Sequence, residues 1–75
     1  MFETLKTMLV EEMQITAEDI KPEAELINDL GINSLELADL ILLCEEKFKI
    51  EISEDDIQNF VTVADVVAYI EKKTA

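Results

Sequence analysis

The stretch that decides the fold is Asp29-Leu30-Gly31-Ile32-Asn33-Ser34-Leu35, residues 29–35. It contains the only glycine of the chain, and Gly31 can take a positive φ at little steric cost, which suits a sharp change of chain direction. Asn33 and Ser34 are both residue types that cap helix N-termini, and Glu36 follows Asn33 at the spacing of a capping box. The stretch therefore predicts a turn, a cap and a helix, with a serine hydroxyl at the mouth of that helix.

A strongly periodic helix is predicted from Ser34 to about Lys47. At about 100° per residue, one side carries the residues expected to face the core, which are Leu37, Leu40, Ile41, Cys44 and Phe48. The opposite side mixes apolar residues with carboxylates, namely Leu35, Ala38, Asp39, Leu42 and Glu46, with Glu45 at its edge. The pattern alone leaves two interpretations of this outward side open: a solvated acidic face, or a docking patch with an acidic rim.

Two further long helices and one short helix are predicted around it. The first runs from Phe2 to about Gln14, and its apolar positions are Phe2, Leu5, Leu9 and Met13, with Met8 alongside. The last runs from Val63 to about Lys72, opens with Thr62 and Asp65, and buries Val63, Val66, Val67 and Ile70. Between them, Ser53 is expected to cap a short acidic helix, residues 54–58. The expected fold is all-α, a small four-helix bundle with three longer helices and one short helix.

The segments between these helices are less regular. Residues 16–33 predict a long loop, with at most one helical turn where Thr16 and Asp19 resemble a capping box, since Pro22 prevents a longer helix there. Four apolar residues are expected to pack this loop on the core: Ile20, Leu26, Ile27 and Leu30. Alternation along residues 48–52 is typical of a strand, but no second strand is available to pair with it, so an extended connection is predicted.

Length and charge limit the function. Seventy-five residues predict one small domain, residues 1–75, and we expect it to act as a monomer. The 18 acidic and 6 basic residues give a formal charge of −12, which repels nucleic-acid phosphates and anionic membrane surfaces. The same charge favours partners with basic surfaces.

The residue types present also argue against catalysis. The chain has no histidine and one cysteine, so it lacks the usual ligands of transition metals and the usual nucleophile–base pairs; neither a metal site nor an enzyme is expected. Cys44 cannot form an intramolecular disulfide, and its position predicts a buried small hydrophobe. The N-terminus resembles no secretory signal, and we expect a cytoplasmic protein.

Ser34 has two interpretations. It can be a capping residue only, since serine is a favoured cap. Alternatively its hydroxyl is esterified, because the unpaired N–H groups and the positive dipole end of a helix N-terminus would hold a phosphate diester. No histidine is present to activate the serine, so a separate enzyme would have to modify it.

Residues 29–37, Asp-Leu-Gly-Ile-Asn-Ser-Leu-Glu-Leu, resemble the prosthetic-group attachment region of acyl carrier proteins, whose pattern is D-L-G-x-D-S-L. The similarity extends over the whole chain, from the first amphipathic helix to the start of the fourth at residues 62–63. The resemblance implies that Ser34 carries 4′-phosphopantetheine, attached by a phosphopantetheinyl transferase, and that its terminal thiol holds acyl groups as thioesters. Asp29, Gly31 and Asn33 would support the attachment motif.

The family resemblance also favours the docking interpretation of the outward face. It implies that acyl-processing enzymes with basic patches dock on the second helix, at Leu35, Ala38, Asp39, Leu42, Glu45 and Glu46. The chain departs from the family pattern at Asn33, where aspartate is usual. Asparagine caps a helix as well as aspartate does, so the fold should be preserved, but one charge beside the attachment site is lost. Fatty-acid, polyketide, peptide and specialised lipid pathways all stay open, as does an unmodified acidic interaction domain of carrier-like fold.

Overall fold

A computed structural model describes residues 1–74 of the chain, and its regular elements within that range are helices. They are α1 (Phe2–Met13), a single 3₁₀ turn (Ala17–Asp19), α2 (Ser34–Phe48), α3 (Glu54–Ile57) and α4 (Val63–Thr74). The predicted all-α bundle of three longer helices and one short helix is confirmed, with ends that differ from the expected ones by one or two residues. The expected domain of residues 1–75 includes Ala75, which lies outside the described range.

The core lies where α1 packs against α2 and α4. It is apolar, and its fully buried side chains are Leu5, Leu9, Leu26, Ile32, Leu40, Cys44, Val63, Val66 and Ile70. Both α1 and α2 end at residues with left-handed backbone, Gln14 (φ 56°) and Lys49 (φ 55°), whose N–H groups donate to carbonyl oxygens of the last helical turn. These terminations satisfy carbonyls that would otherwise lack donors, and they turn the chain back along the bundle.

The loop between α1 and α2 is anchored by buried side chains. Ile20 and Leu26 are buried and Leu30 is half-buried, as predicted, but the prediction for Ile27 is wrong because its side chain is 55% exposed. Residues 26–30 form a turn, so consecutive side chains point in different directions: Leu26 and Leu30 pack against the core, whereas Ile27 faces solvent. Ala24 and Ile32, which were not assigned to this role, complete the anchoring.

The same loop is joined to the start of α4 by backbone hydrogen bonds. Leu26 N–H donates to the Val61 carbonyl at 2.9 Å, and Glu25 and Thr62 form an isolated antiparallel bridge. The capping box suggested for Thr16 is not formed, since its side chain makes no capping hydrogen bond and only a 3₁₀ turn follows. The loop is therefore held by tertiary contacts rather than by its own helix.

Short α3 is attached to the bundle through its side chains. Ser53 caps it as predicted, with its Oγ accepting from Asp56 N–H at 3.3 Å. Tyr69 of α4 donates its hydroxyl to Asp56 Oδ2 at 2.7 Å and meets the Phe60 ring edge-on at 5.2 Å between centroids. The hydrogen bond from Tyr69 lowers the pKa of Asp56, and Ser53 adds to that effect.

Candidate functional site: the serine at the mouth of α2

The approach to α2 is a tight turn closed by Asp29. Its Oδ2 accepts from Glu25 N–H at 2.7 Å, and Leu30 N–H donates to the Glu25 carbonyl at 3.0 Å. Gly31 follows with a φ of +70°, a conformation that side-chain-bearing residues rarely adopt. Ile32 is then buried in the core, so the backbone enters α2 from an anchored position.

Asn33, not Ser34, caps α2. The Asn33 Oδ1 accepts from Glu36 N–H at 2.8 Å, and Glu36 Oε1 accepts from Asn33 N–H at 3.1 Å. Both halves of a capping box are therefore present, which confirms that asparagine can fill the capping role at this position. The purely structural interpretation of Ser34 as the cap is excluded, because Ser34 is the first residue of the helix itself.

The Ser34 hydroxyl is exposed and free. Within residues 1–74 its Oγ has no hydrogen-bond partner, and the backbone N–H groups of Ser34 and Leu35 also lack protein acceptors. These two N–H groups and the positive end of the helix dipole provide a favourable environment for a phosphate ester on Oγ. The residues present therefore fit a phosphate-linked group at this position.

Ser53, the other serine of the chain, provides a contrast. It also lies at the mouth of a helix, but its Oγ accepts a hydrogen bond from Asp56 N–H and serves as the cap of α3. The two serines thus differ: the Ser53 hydroxyl accepts a backbone hydrogen bond at the start of α3, whereas the Ser34 hydroxyl has no partner within residues 1–74.

The outward side of α2 continues directly from Ser34. Five of the six residues expected on the docking face are exposed: Leu35, Ala38, Asp39, Leu42 and Glu46. Leu35 is 79% and Leu42 58% exposed; single exposed leucines are common, but these two share one helix face with exposed Ala38. Glu45 differs, because it is half-buried and its Oε2 accepts from Ile52 N–H at 2.9 Å. Glu45 therefore also has a structural role, at the edge of the face.

Cys44 is on the buried side of α2, as predicted. Burial raises the pKa of its thiol to about 11, and the neighbouring carboxylate of Glu45 contributes to the increase. The thiol therefore stays protonated at neutral pH and is a poor nucleophile. The exposed hydroxyl of Ser34 is therefore the better candidate for modification at this site.

Comparison with known proteins identifies the family. A family model described as "Phosphopantetheine attachment site" matches residues 3–70. The chain is 44% identical over 70 residues to the acyl carrier protein of Helicobacter hepaticus, covering 93% of this chain and 92% of that protein. The chain belongs to the acyl carrier protein family. The resemblance carried by residues 29–37 is thereby confirmed, as is 4′-phosphopantetheine as the cofactor of this family member.

Other acyl carrier proteins support the same assignment. That of Nitratidesulfovibrio vulgaris strain Miyazaki F is 42% identical over 71 residues, which is 95% of this chain and 93% of that protein. The crystal structure of an acyl carrier protein from Thermotoga maritima superposes with a TM-score of 0.82 at 24% identity, covering 95% of this chain and 82% of that one. At that identity the structural match establishes the fold alone, and it agrees with the observed bundle.

Proposed function

We propose that Ser34 is the residue that carries 4′-phosphopantetheine, and that the chain transports acyl groups as thioesters on this arm. The main support for Ser34 as the attachment residue is the accessibility of its hydroxyl. Its hydroxyl lies exposed at the first residue of α2 and makes no hydrogen bond within residues 1–74, because Asn33 provides the cap in its place. The terminal thiol of the arm supplies the thioester chemistry.

The residues around Ser34 support attachment rather than catalysis. The chain has no histidine that could deprotonate the serine, so a phosphopantetheinyl transferase must provide the chemistry. Asp29 and Gly31 shape the turn, and Asn33 and Glu36 hold the first turn of α2, so that the hydroxyl is presented at a constant position. We therefore regard the protein as a carrier and not an enzyme.

We further propose that the exposed face of α2 docks partner enzymes. Leu35, Ala38 and Leu42 offer apolar contact, while Asp39 and Glu46 offer charges to basic patches, with Glu45 at the margin. The partners would be the transferase and the acyl-processing enzymes of fatty-acid or related biosynthesis. A single buried cysteine, with no disulfide to hold the fold, suits a cytoplasmic carrier. No helix within residues 1–74 is long and apolar enough to cross a membrane.

Intact-mass spectrometry after incubation with coenzyme A and a phosphopantetheinyl transferase tests the assignment. We expect one added phosphopantetheine on the unaltered chain, none on Ser34→Ala, and one on Ser53→Ala. The Ser53→Ala variant is a matched control, since it removes the only other serine hydroxyl. An unchanged mass with several competent transferases would refute the proposal and favour an unmodified acidic interaction domain.

A further inference from the structure

A groove separates α1 from α2 on the side of the molecule next to the docking face. It consists of two adjoining cavities of about 560 and 540 Å³ that share Glu12, Leu43 and Glu46 in their walls. One end lies at Thr4 and Lys47, and the other end lies at Gln14 and Glu36. The second end is within one helical turn of Ser34.

The walls of this groove combine apolar surface with several carboxylates. Met8, Leu43 and Met13 provide buried or half-buried apolar surface, and exposed Leu42 lies at the α2 edge. The rim carries exposed carboxylates from both helices: Glu11 and Glu12 from α1, and Asp39 and Glu46 from α2. Lys47, at the far end, is the one lysine among the lining residues.

We propose that the α1–α2 groove binds a cationic amphipathic helix of a partner enzyme, so that Glu11 and Glu12 of α1 recognise partners together with α2. This inference rests on the proposed carrier function and extends its docking surface to a second helix. The lining of the groove extends along α1 from Thr4 to Gln14, about 15 Å at the rise of an α-helix, which matches roughly three turns of a docked helix. Apolar side chains of that helix would contact the methionines and leucines, and its lysines or arginines would face the rim.

Charge selects this occupant over two others. A second copy of the chain would bring another net charge of −12 against the rim, and an anionic lipid surface would be repelled in the same way. A cationic helix gains attraction from both walls, and its end would lie beside Ser34. The groove would thereby set the direction in which a partner approaches the arm.

The test uses a synthetic peptide about four turns long, with leucines on one face and lysines on the other, and a scrambled peptide of the same composition. Binding to the full chain is measured by isothermal titration calorimetry. We expect the amphipathic peptide to bind and the scrambled one to bind more weakly. We expect Glu11→Lys/Glu12→Lys to weaken binding about tenfold, because two attractive contacts become repulsive. Added salt should weaken binding as well.

Glu51→Lys/Glu71→Lys is the matched control, because it makes the same change in charge at exposed positions outside the groove. Its affinity should stay within about twofold of the unaltered chain, as expected for charges remote from the contact. Equal losses in both double variants, no peptide binding, or self-association of the chain through this face would each overturn the proposal. Attachment of phosphopantetheine to Ser34, measured by intact-mass spectrometry on the same variants, reports separately on the carrier function.

Discussion

Replacing Asn33 by alanine tests how α2 begins and which residue is free for modification. The substitution removes the 2.8 Å bond from Glu36 N–H to Asn33 Oδ1, whereas the bond from Asn33 N–H to Glu36 survives because its donor is backbone. Loss of such a cap typically destabilises a protein by about 1 kcal/mol. For a domain of this size that corresponds to a decrease in melting temperature of roughly 4–8 °C.

Thermal and urea denaturation followed by circular dichroism provide the measurement. Ser34→Ala should stay within about 0.5 kcal/mol of the unaltered chain, because the Ser34 hydroxyl bonds to nothing within residues 1–74. Asn33→Asp retains the acceptor, so it should also remain close to the unaltered stability. If Ser34→Ala lowered the free energy of unfolding as much as Asn33→Ala did, the assignment of the cap, and with it the free serine hydroxyl, would be wrong.

Four other perturbations follow from the structure. Tyr69→Phe should lower the urea midpoint at neutral pH, because it removes the hydrogen bond from the Tyr69 hydroxyl to the Asp56 carboxylate. Since this bond lowers the pKa of Asp56, the difference in midpoint between the variant and the unaltered chain should vanish as pH falls through that lowered pKa. A difference in midpoint that stayed constant into acid would contradict this. Gly31→Ala should lower the free energy of unfolding by about 1 kcal/mol in urea denaturation, because alanine is strained at a φ of +70°. No neighbouring atom lies within 4 Å of the added Cβ, so a steric clash does not contribute. Gly31→Asn should cost less, because asparagine adopts this backbone conformation more readily. Glu45→Ala should reduce the free energy of unfolding by about 1 kcal/mol by leaving a part-buried N–H without its acceptor, while Glu45→Gln should preserve most of it. Cys44 should react with a thiol reagent slowly in the native protein and much faster in urea; equal rates would show that the thiol is accessible.

The long helices were predictable because their information is local and periodic. Leu5 and Leu9 in α1, and Val66 and Ile70 in α4, recur at helical spacing and are buried as expected. The place where α2 begins was equally predictable, since Gly31, two residue types that cap helices and Glu36 follow one another closely in the sequence. Local patterns of this kind fix element type before tertiary contacts are known.

The features that sequence reasoning missed depend on distant residues coming together. Tyr69 and Asp56 are thirteen positions apart, and no periodicity indicates that the tyrosine holds α3. The exposure of Ile27 depends on the geometry of an irregular turn, in which hydrophobicity alone does not indicate direction. The choice between Asn33 and Ser34 as the cap required coordinates, because both are suitable residue types.

The bridge between Glu25 and Thr62 has a mechanical consequence for the carrier. It holds the segment that leads to Ser34 against the start of α4, while the buried side chain of Ile32 anchors the same segment in the core. With the arm attached at Ser34, as proposed, movement of the acyl group toward partner enzymes would come from the arm rather than from this anchored segment. Hydrogen exchange at the Leu26 amide, which donates to the Val61 carbonyl, should accordingly be as slow as exchange in the core helices.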